Sequence, residues 1–114
     1  MITDSYKTMS DSESTSIEPG LKVTVEGLTY WANDGDVIGR EGNIASHYFE
    51  DIPTISRIHV RVHKKEGRWY ISVPSAVSNS TMLDGTEVNR EELQLVNGPR
   101  VLKLAADCIV HLDV

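Results

Sequence analysis

Cysteine is nearly absent from this chain, and long apolar runs are missing altogether. Cys108 is the one cysteine among 114 residues, so no disulfide can form within the chain, which excludes a small scaffold held together by disulfides. No apolar run approaches the roughly 18 residues that a membrane-spanning helix needs. The N-terminus also lacks the basic-then-apolar pattern of a secretory signal. We therefore expect a cytoplasmic protein that does not enter a membrane.

The sequence has no excess of positive charge. It carries 11 Lys and Arg against 17 Asp and Glu, a net charge of −6. Residues 1–20 hold four acidic residues and one lysine, and residues 21–114 hold thirteen acidic and ten basic residues, so each part has a net charge of −3. A general nucleic-acid binder normally shows a cationic footprint. Nucleic acid is therefore not expected as a partner.

Motifs of metal binding and catalysis are missing as well. The possible metal ligands are His47, His59, His63, His111 and Cys108, and their spacing matches no zinc finger, ribbon or His-Glu-x-x-His pattern. No glycine-rich phosphate loop, Gly-x-Ser-x-Gly elbow or acid/base pair of carboxylates is present. We expect no metal, no cofactor and no enzymatic activity. A small hydrolase or metal enzyme is an alternative that only the scattered histidines favour.

The first twenty residues differ in composition from the rest of the chain. Met1 to Gly20 contain five serines, three threonines and almost no large apolar side chains. Burial of so few apolar groups does not offset the entropy lost on ordering. The sequence therefore predicts a flexible, acidic, Ser/Thr-rich tail over residues 1–20 and one folded domain over residues 21–114.

From Leu21 onward the pattern is that of an all-β protein. Leu21, Val23 and Val25 alternate with polar residues, as in a half-buried strand. Further strands are predicted at residues 28–31, 36–40, 57–63, 68–73, 82–83, 87–88, 92–96, 100–104 and 108–112. Turn residues such as Asp84-Gly85 fall between them. Many short strands at about ten-residue spacing predict a β-sandwich of two antiparallel sheets.

Hydrogen-bond donors cluster where predicted strands meet loops. Gly39-Arg40 ends one strand, and Ser56-Arg57 follows a loop over residues 41–55 whose length is typical of functional loops. Ser78-Asn79 forms a third cluster. Arginine presents five N–H donors in a planar fork that matches phosphate oxygens, and Ser and Asn add short neutral donors. The three clusters together predict a site for one phosphate and the peptide that carries it.

The order of these clusters resembles the forkhead-associated (FHA) domain family. The family pattern runs Gly-Arg, then Ser-x-x-His, then Asn-Gly-Thr-x-x-Asn-Gly. Here the three elements read Gly39-Arg40, Ser56-Arg57-Ile58-His59 and Asn79-Ser80-Thr81-Met82-Leu83-Asp84-Gly85. The resemblance covers roughly residues 21–114, and it implies an FHA-type β-sandwich that recognises phosphothreonine on a partner protein.

The resemblance also implies a role for individual residues. Arg40 contacts the phosphate, the Ser56 hydroxyl donates to it, and Arg57 adds a second cation. Ser78 faces the phosphate, and Asn79 holds the main chain of the peptide. Four residues shape the loops without contacting the ligand: Gly39, His59, Thr81 and Gly85.

Along residues 57–63, alternation places Ile58, Val60 and Val62 on the core face and His59 on the opposite face. His59 is therefore expected away from the core, with its ring hydrogen-bonded to loop backbone. Ser80 replaces the family glycine. If this position requires a positive φ, serine imposes strain of order 1 to 2 kcal/mol, or else the loop takes another path.

The partner implied by the resemblance is a phosphothreonine-containing protein, either a Ser/Thr kinase or its substrate. Thr3, Thr8 and Thr15 lie in the predicted tail, so self-association through a phosphorylated tail is a further hypothesis. Ser80 and Asp84 depart from the family pattern. They favour the alternative of a degenerate FHA fold that serves as a phosphate-independent assembly surface.

Overall fold

A computed structural model of the chain describes residues 20–105 and 108–114. The predicted tail, except Gly20, lies outside the described residues. The elements within the described part are β1 (Leu21–Val25), β2 (Leu28–Ala32), β3 (Val37–Ile38), α1 (Ser46–Phe49), β4 (Val60–Lys65), β5 (Arg68–Ser72), β6 (Thr81–Leu83), β7 (Thr86–Glu87), β8 (Gln94–Val96), β9 (Arg100–Leu104) and β10 (Cys108–Asp113). No helix among these residues is long and apolar enough to cross a membrane.

The strands form two antiparallel sheets. One has the order β2-β1-β10-β9-β6-β7, and the other has the order β3-β4-β5-β8. Alternate residues of β1 and β4 bury their side chains between the sheets: Leu21, Val23 and Val25 of β1 are at most 1% exposed, and Val60 and Val62 of β4 are fully buried. Full burial of such a side chain contributes about 1.5 to 3 kcal/mol. The predicted all-β sandwich is confirmed.

Strand ends and loops differ from the prediction in several places. β3 contains only Val37 and Ile38, and β4 begins at Val60 instead of Arg57. The expectation that Ile58 faces the core is wrong: its side chain is 41% exposed, because it precedes the strand and does not follow the alternation. The loop before β4 contains the short helix α1, which anchors the loop through the fully buried Phe49.

The turn between β6 and β7 explains why aspartate and glycine are suited to positions 84 and 85. Asp84 and Gly85 have φ values of 51° and 84°, as a two-residue type I′ hairpin turn requires. Aspartate tolerates this left-handed region, and glycine enters it without steric cost. The Asp84 carboxylate accepts a hydrogen bond from the Val101 N–H at 2.8 Å and pairs with Arg100. The Val101 N–H and then Arg100 lower the pKa of Asp84. Aspartate at this position therefore supports the turn.

Ser80 does not carry the strain that the family pattern suggested. Its φ is not positive, so the condition under which serine would impose strain is not met. The Ser80 C=O accepts a hydrogen bond from the Ala105 N–H at 3.1 Å. Its hydroxyl lies 3.4 Å from the Glu87 carboxylate. Serine fits the path that the chain takes here.

A buried histidine connects the two sheets. His59 is fully buried immediately before β4, and the expectation that it lies away from the core is wrong. The Ser56 N–H donates to its Nδ1 at 3.0 Å, and its Nε2 lies 2.9 Å from Oγ1 of Thr81, which is fully buried on β6 of the other sheet. Because Nδ1 accepts, Nε2 carries the proton and donates to Thr81. The ring therefore makes the expected bond to loop backbone and also a bond between the sheets.

The contact of His59 with Ser56 requires the neutral ring, because Nδ1 accepts a hydrogen bond only when it carries no proton. Burial first, and the nearby Arg90 second, lower the pKa of His59 from 6.5 to about 4. A proton on Nδ1 would also face the Ser56 N–H and break that hydrogen bond. Between pH 6.5 and 4 the unfolded chain binds more protons at this site than the folded chain does. The contribution of His59 to stability is therefore complete above pH 6.5 and is lost as the pH falls to about 4.

We predict that the free energy of unfolding falls by about 3 kcal/mol between pH 7 and pH 4 because of His59. Urea unfolding at a series of pH values measures this loss. His59→Asn should flatten the pH dependence in this window, whereas His47→Asn, a change at an exposed histidine, should leave it in place. If the free energy of unfolding depended equally on pH in the wild-type protein and the His59 variant, His59 would not be the cause of the loss.

We predict that Ser80→Gly lowers the free energy of unfolding by about 0.5 to 1 kcal/mol, because glycine gains more freedom in the unfolded chain. Ser80→Ala keeps the backbone restriction and removes only the hydroxyl, so it should remain near the wild type. Urea unfolding compares the three proteins at neutral pH. A glycine variant that is more stable than the wild type would restore the strain hypothesis.

Candidate functional site

An open depression with a volume of about 530 Å³ lies between the two ends of the β3–β4 connection, strand β4 and the loop after β5. It is lined by Arg40, Ser56, Arg57, Ile58, Arg61, Pro74 and Ala76. The loop after β3, the segment before β4, β4 itself and the loop after β5 supply these residues. The depression thus contains three of the five residues predicted to contact the phosphopeptide.

Arg40 is fixed against the segment that carries Ser56. Its N–H donates to the Ser56 C=O at 3.2 Å, and its Nε donates to the Ile55 C=O at 2.5 Å. No hydrogen bond occupies its terminal Nη groups within the described residues. A guanidinium held through Nε and open at Nη is pre-positioned to bind an anion in the depression.

Gly39 permits this close arrangement of Arg40 and the neighbouring segment. A Cβ atom at position 39 would lie 2.5 Å from the Arg57 C=O and 2.8 Å from the Ser56 C=O. Such distances are too short for any side chain, so only glycine allows the end of β3 to approach. The Gly39-Arg40 pair therefore acts as a unit, in which one residue provides space and the other provides charge.

Arg57 has an acidic neighbour. Its Nε lies 3.4 Å from the Glu41 carboxylate, and the two side chains are 70% and 64% exposed. The Glu41 N–H also donates to the Arg57 C=O at 3.0 Å. An ion pair this exposed contributes at most about 1 kcal/mol. A phosphate in the depression can therefore replace Glu41 at little cost.

The structure does not bring Ser78 and Asn79 into the depression. Both are exposed, and Ser78 forms no hydrogen bond within the part of the chain that the structure describes. Asn79 Nδ2 donates to the Thr54 C=O at 2.8 Å, two residues before Ser56. Asn79 therefore ties its own loop to the segment that carries Ser56 and Arg57.

Three further residues, Arg61, Arg90 and Glu91, contribute to the site or to its loops without having been predicted from the sequence. Arg61 is exposed on β4 and adds a third guanidinium to the depression. Arg90 donates to the Val77 C=O at 2.9 Å and to the Asn79 C=O at 3.3 Å. The Glu91 carboxylate accepts from the Ser75 N–H at 2.8 Å.

Arg90 and Glu91 thus hold the loop that supplies Pro74 and Ala76. The alternation of Arg61 with Val60 and Val62 could have indicated from the sequence that Arg61 lies on the exposed side of β4. For Arg90 and Glu91 the sequence carried no such signal, because their partners are backbone atoms more than ten residues away.

Potential metal ligands stay apart among the residues that the structure describes. No group of three or more His, Cys, Asp or Glu side chains gathers there. Cys108 is buried, and burial raises the pKa of its thiol. His111 is exposed on the opposite face of the same strand.

Solved structures with the same fold are FHA domains. One is an FHA domain of Arabidopsis thaliana, at 23% identity and a TM-score of 0.68, with 92% of this chain and 93% of that chain covered. A second is the FHA-1 domain of Rv1747 from Mycobacterium tuberculosis, at 20% identity and a TM-score of 0.64, with 84% and 96% covered.

A third is the MEK1 FHA domain in complex with a HOP1 phosphothreonine peptide, at 18% identity and a TM-score of 0.65, with 85% and 98% covered. No significant match was found among curated proteins. The family model of the FHA domain matches residues 37–103, which is more than half of the chain. This segment includes all three donor clusters, and the chain therefore belongs to the FHA domain family.

Proposed function

We propose that this domain binds phosphothreonine segments of partner proteins through the depression that contains Arg40, Ser56 and Arg57, and that it has no catalytic role. The observation that carries the proposal is the convergence of two guanidinium groups and one hydroxyl, from the two ends of the connection between β3 and β4, on one open site. The nearby loops are fixed by contacts to backbone atoms. The donors are therefore held in place before the ligand arrives.

Phosphate is the anion that this donor set suits best. Each charge-assisted hydrogen bond from Arg40 or Arg57 contributes about 1.5 to 3 kcal/mol when partly shielded from water. The Ser56 hydroxyl adds a donor without further charge. Three donors in one depression match the three terminal oxygens of a phosphorylated threonine. The MEK1 FHA domain, which shares the fold, has been solved in complex with a phosphothreonine peptide.

Ser78 and Asn79 form the proposed second side of the site. Because Nδ2 of Asn79 is bonded to Thr54, we assign its amide oxygen to accept an N–H from the peptide main chain. The same residue then joins two loops and orients the ligand. Ser78 is exposed beside it and is proposed to donate its hydroxyl to the phosphate.

The preference for threonine over serine depends on one methyl group. Transfer of a methyl group out of water contributes only about 0.8 kcal/mol. Ile58, Pro74 and Ala76 supply apolar surface in the depression for this group. A larger preference requires that the methyl group also fix the rotamer of the phosphate.

The proposed partners are Ser/Thr kinases or their substrates, and the proposed setting is signalling in the cytoplasm. The single buried thiol of Cys108 suits a reducing compartment. Thr3, Thr8 and Thr15 also place possible phosphorylation sites in the chain itself. A tethered phosphothreonine acts at an effective concentration that reaches the millimolar range. Self-association through these residues is therefore a second part of the proposal.

We predict that a suitable phosphothreonine peptide binds with a Kd on the order of micromolar, and that its unphosphorylated form does not bind. Titration of a phosphothreonine peptide library by calorimetry or fluorescence polarisation measures this difference. Arg40→Ala should weaken binding at least about tenfold, because it removes a charge-assisted contact.

Lys103→Ala serves as the matched control for Arg40→Ala, since Lys103 is an exposed cation on β9, outside the depression. Urea unfolding confirms that both variants remain folded. Equal affinity of the Arg40 variant and the wild type would exclude Arg40 from the phosphate site. Equal affinity for phosphorylated and unphosphorylated peptides would favour the phosphate-independent assembly surface instead.

We predict that phosphorylation of Thr8 or Thr15 brings the phosphothreonine to the domain's own depression or to that of a second copy. The expected result is a change in the NMR resonances of Arg40 and Ser56, with an increase in mass by light scattering if binding occurs between copies. Phosphorylated protein that carries Arg40→Ala is the control. Unchanged resonances together with unchanged mass would exclude docking of that residue.

A further inference from the structure

The outer side of the four-stranded sheet carries a continuous set of basic side chains. β4 and β5 pair residue by residue, with Arg61 opposite Ser72, His63 opposite Tyr70 and Lys65 opposite Arg68. Val60 and Val62 point into the core, so Arg61, His63 and Lys65 lie on the opposite side. We call Arg61, His63, Lys65 and Arg68 the basic face.

Most of the basic face is available to a ligand. The side chains of Arg61, Lys65 and Arg68 are exposed, and His63 is half-buried. Within residues 20–105 and 108–114, none of these three cations forms an ion pair or a side-chain hydrogen bond. His63 alone has a partner, the Ser72 hydroxyl at 2.7 Å. Three unpaired cations therefore stand on one side of two paired strands.

This concentration of positive charge contrasts with the rest of the molecule. The chain has a net charge of −6, yet Glu66, in the turn between the strands, is the only acidic residue from Val60 to Ser72. On the outer side of the other sheet, Lys22 is paired in register with Asp113, so its charge is balanced across the strands. The basic face lacks such a balance, and it is therefore a local region of positive potential on an acidic protein.

The basic face is continuous with the candidate functional site through Arg61. Arg61 lines the depression that contains Arg40 and Arg57, and it is also the first cation of the face. Lys65 lies four positions after Arg61 on β4, which corresponds to a distance of about 13 Å at roughly 3.3 Å per residue. An extended peptide covers the same distance with about four residues. A segment anchored in the depression therefore reaches Lys65 and Arg68 within a few residues of its phosphothreonine.

We propose that the basic face binds an acidic, extended segment that adjoins the phosphothreonine in the same partner chain. The inference rests on the proposed function, and it specifies the chemistry of the partner. Three cations in a line favour carboxylates or further phosphates spaced along one strand of peptide. A nucleic-acid surface would need a wider cationic footprint than this acidic domain presents.

The expected contribution is modest and depends on salt. Exposed ion pairs are individually weak, and two or three of them increase affinity by about three- to tenfold. Screening at about 0.5 M salt removes most of this gain, because the Debye length falls to a few ångströms. Steering of the acidic segment by the local field should also increase the association rate.

Three phosphothreonine peptides with the same central residues test the proposal. One carries four glutamates before the phosphothreonine, one carries four glutamates after it, and the third carries glutamines at all eight positions. At low salt we expect the wild-type protein to bind one of the acidic peptides about three- to tenfold more tightly than the neutral peptide. Lys65→Gln with Arg68→Gln should abolish this difference and leave the affinity for the neutral peptide unchanged.

Lys22→Gln with Lys103→Gln removes two exposed cations from the other sheet, and this control should keep the acidic preference. Equal affinity of the wild-type protein for all three peptides would overturn the proposal, as would a preference that survives the Lys65 and Arg68 changes. If a preference appears only after Asp4, Asp11, Glu13 and Glu18 are neutralised, the face binds the chain's own acidic segment, and the proposal of an acidic partner is overturned.

A second measurement separates this inference from the proposed function. NMR titration with an unphosphorylated octaglutamate peptide at low salt should shift resonances on β4 and β5, whether or not the depression binds phosphate. Shifts confined to these strands and lost in the Lys65 and Arg68 double variant would support the basic face even if no phosphothreonine peptide binds. No shift with octaglutamate, or shifts obtained only with a short DNA duplex, would overturn it.

Discussion

The placement of the site depends on one neutral imidazole between the sheets. His59 accepts a hydrogen bond from the Ser56 N–H on one side and donates to the Thr81 hydroxyl on the other. A fully buried ring must have both nitrogens satisfied, and here the two partners come from a loop and from the opposite sheet. The position of Ser56 is therefore linked to the packing of the whole sandwich. Ionisation of the ring would break this connection, and burial opposes it.

The loops of the site are held mainly through backbone atoms, which leaves charged groups for a ligand. Arg40 uses Nε on a carbonyl, Asn79 uses its amide on another, and Arg90 donates to two more. The ion pair that Arg57 forms with Glu41 is exposed and weak. Guanidinium groups that are positioned without being neutralised retain their attraction for anions. This division of contacts leaves a local concentration of positive charge on an acidic domain.

Local patterns in the sequence predicted much of the fold. Alternation predicted β1 and the core positions Val60 and Val62, and Asp84-Gly85 predicted the turn, because both signals depend on neighbouring residues alone. Prediction was wrong where a pattern was extended past the end of an element. Ile58 was assigned to the core although β4 begins two residues later. For Ser80 the sequence left open whether serine in place of the family glycine imposes strain, and the structure shows that its φ is not positive.

The sequence by itself determined the all-β class, the succession of strands along the chain and the types of residue at the candidate site. It also determined that a glycine precedes Arg40. Glycine is required there because a Cβ atom at position 39 would collide with the Ser56 C=O. Only the tertiary structure decided that His59 is buried between the sheets, that Asn79 bonds to Thr54 and that Arg61 joins Arg40 and Arg57. His59 and Thr81 are 22 positions apart, Asn79 and Thr54 are 25 apart, and Arg61 and Arg40 are 21 apart. Which partners meet across such separations is set by how the two sheets pack, and no local pattern in the chain records it.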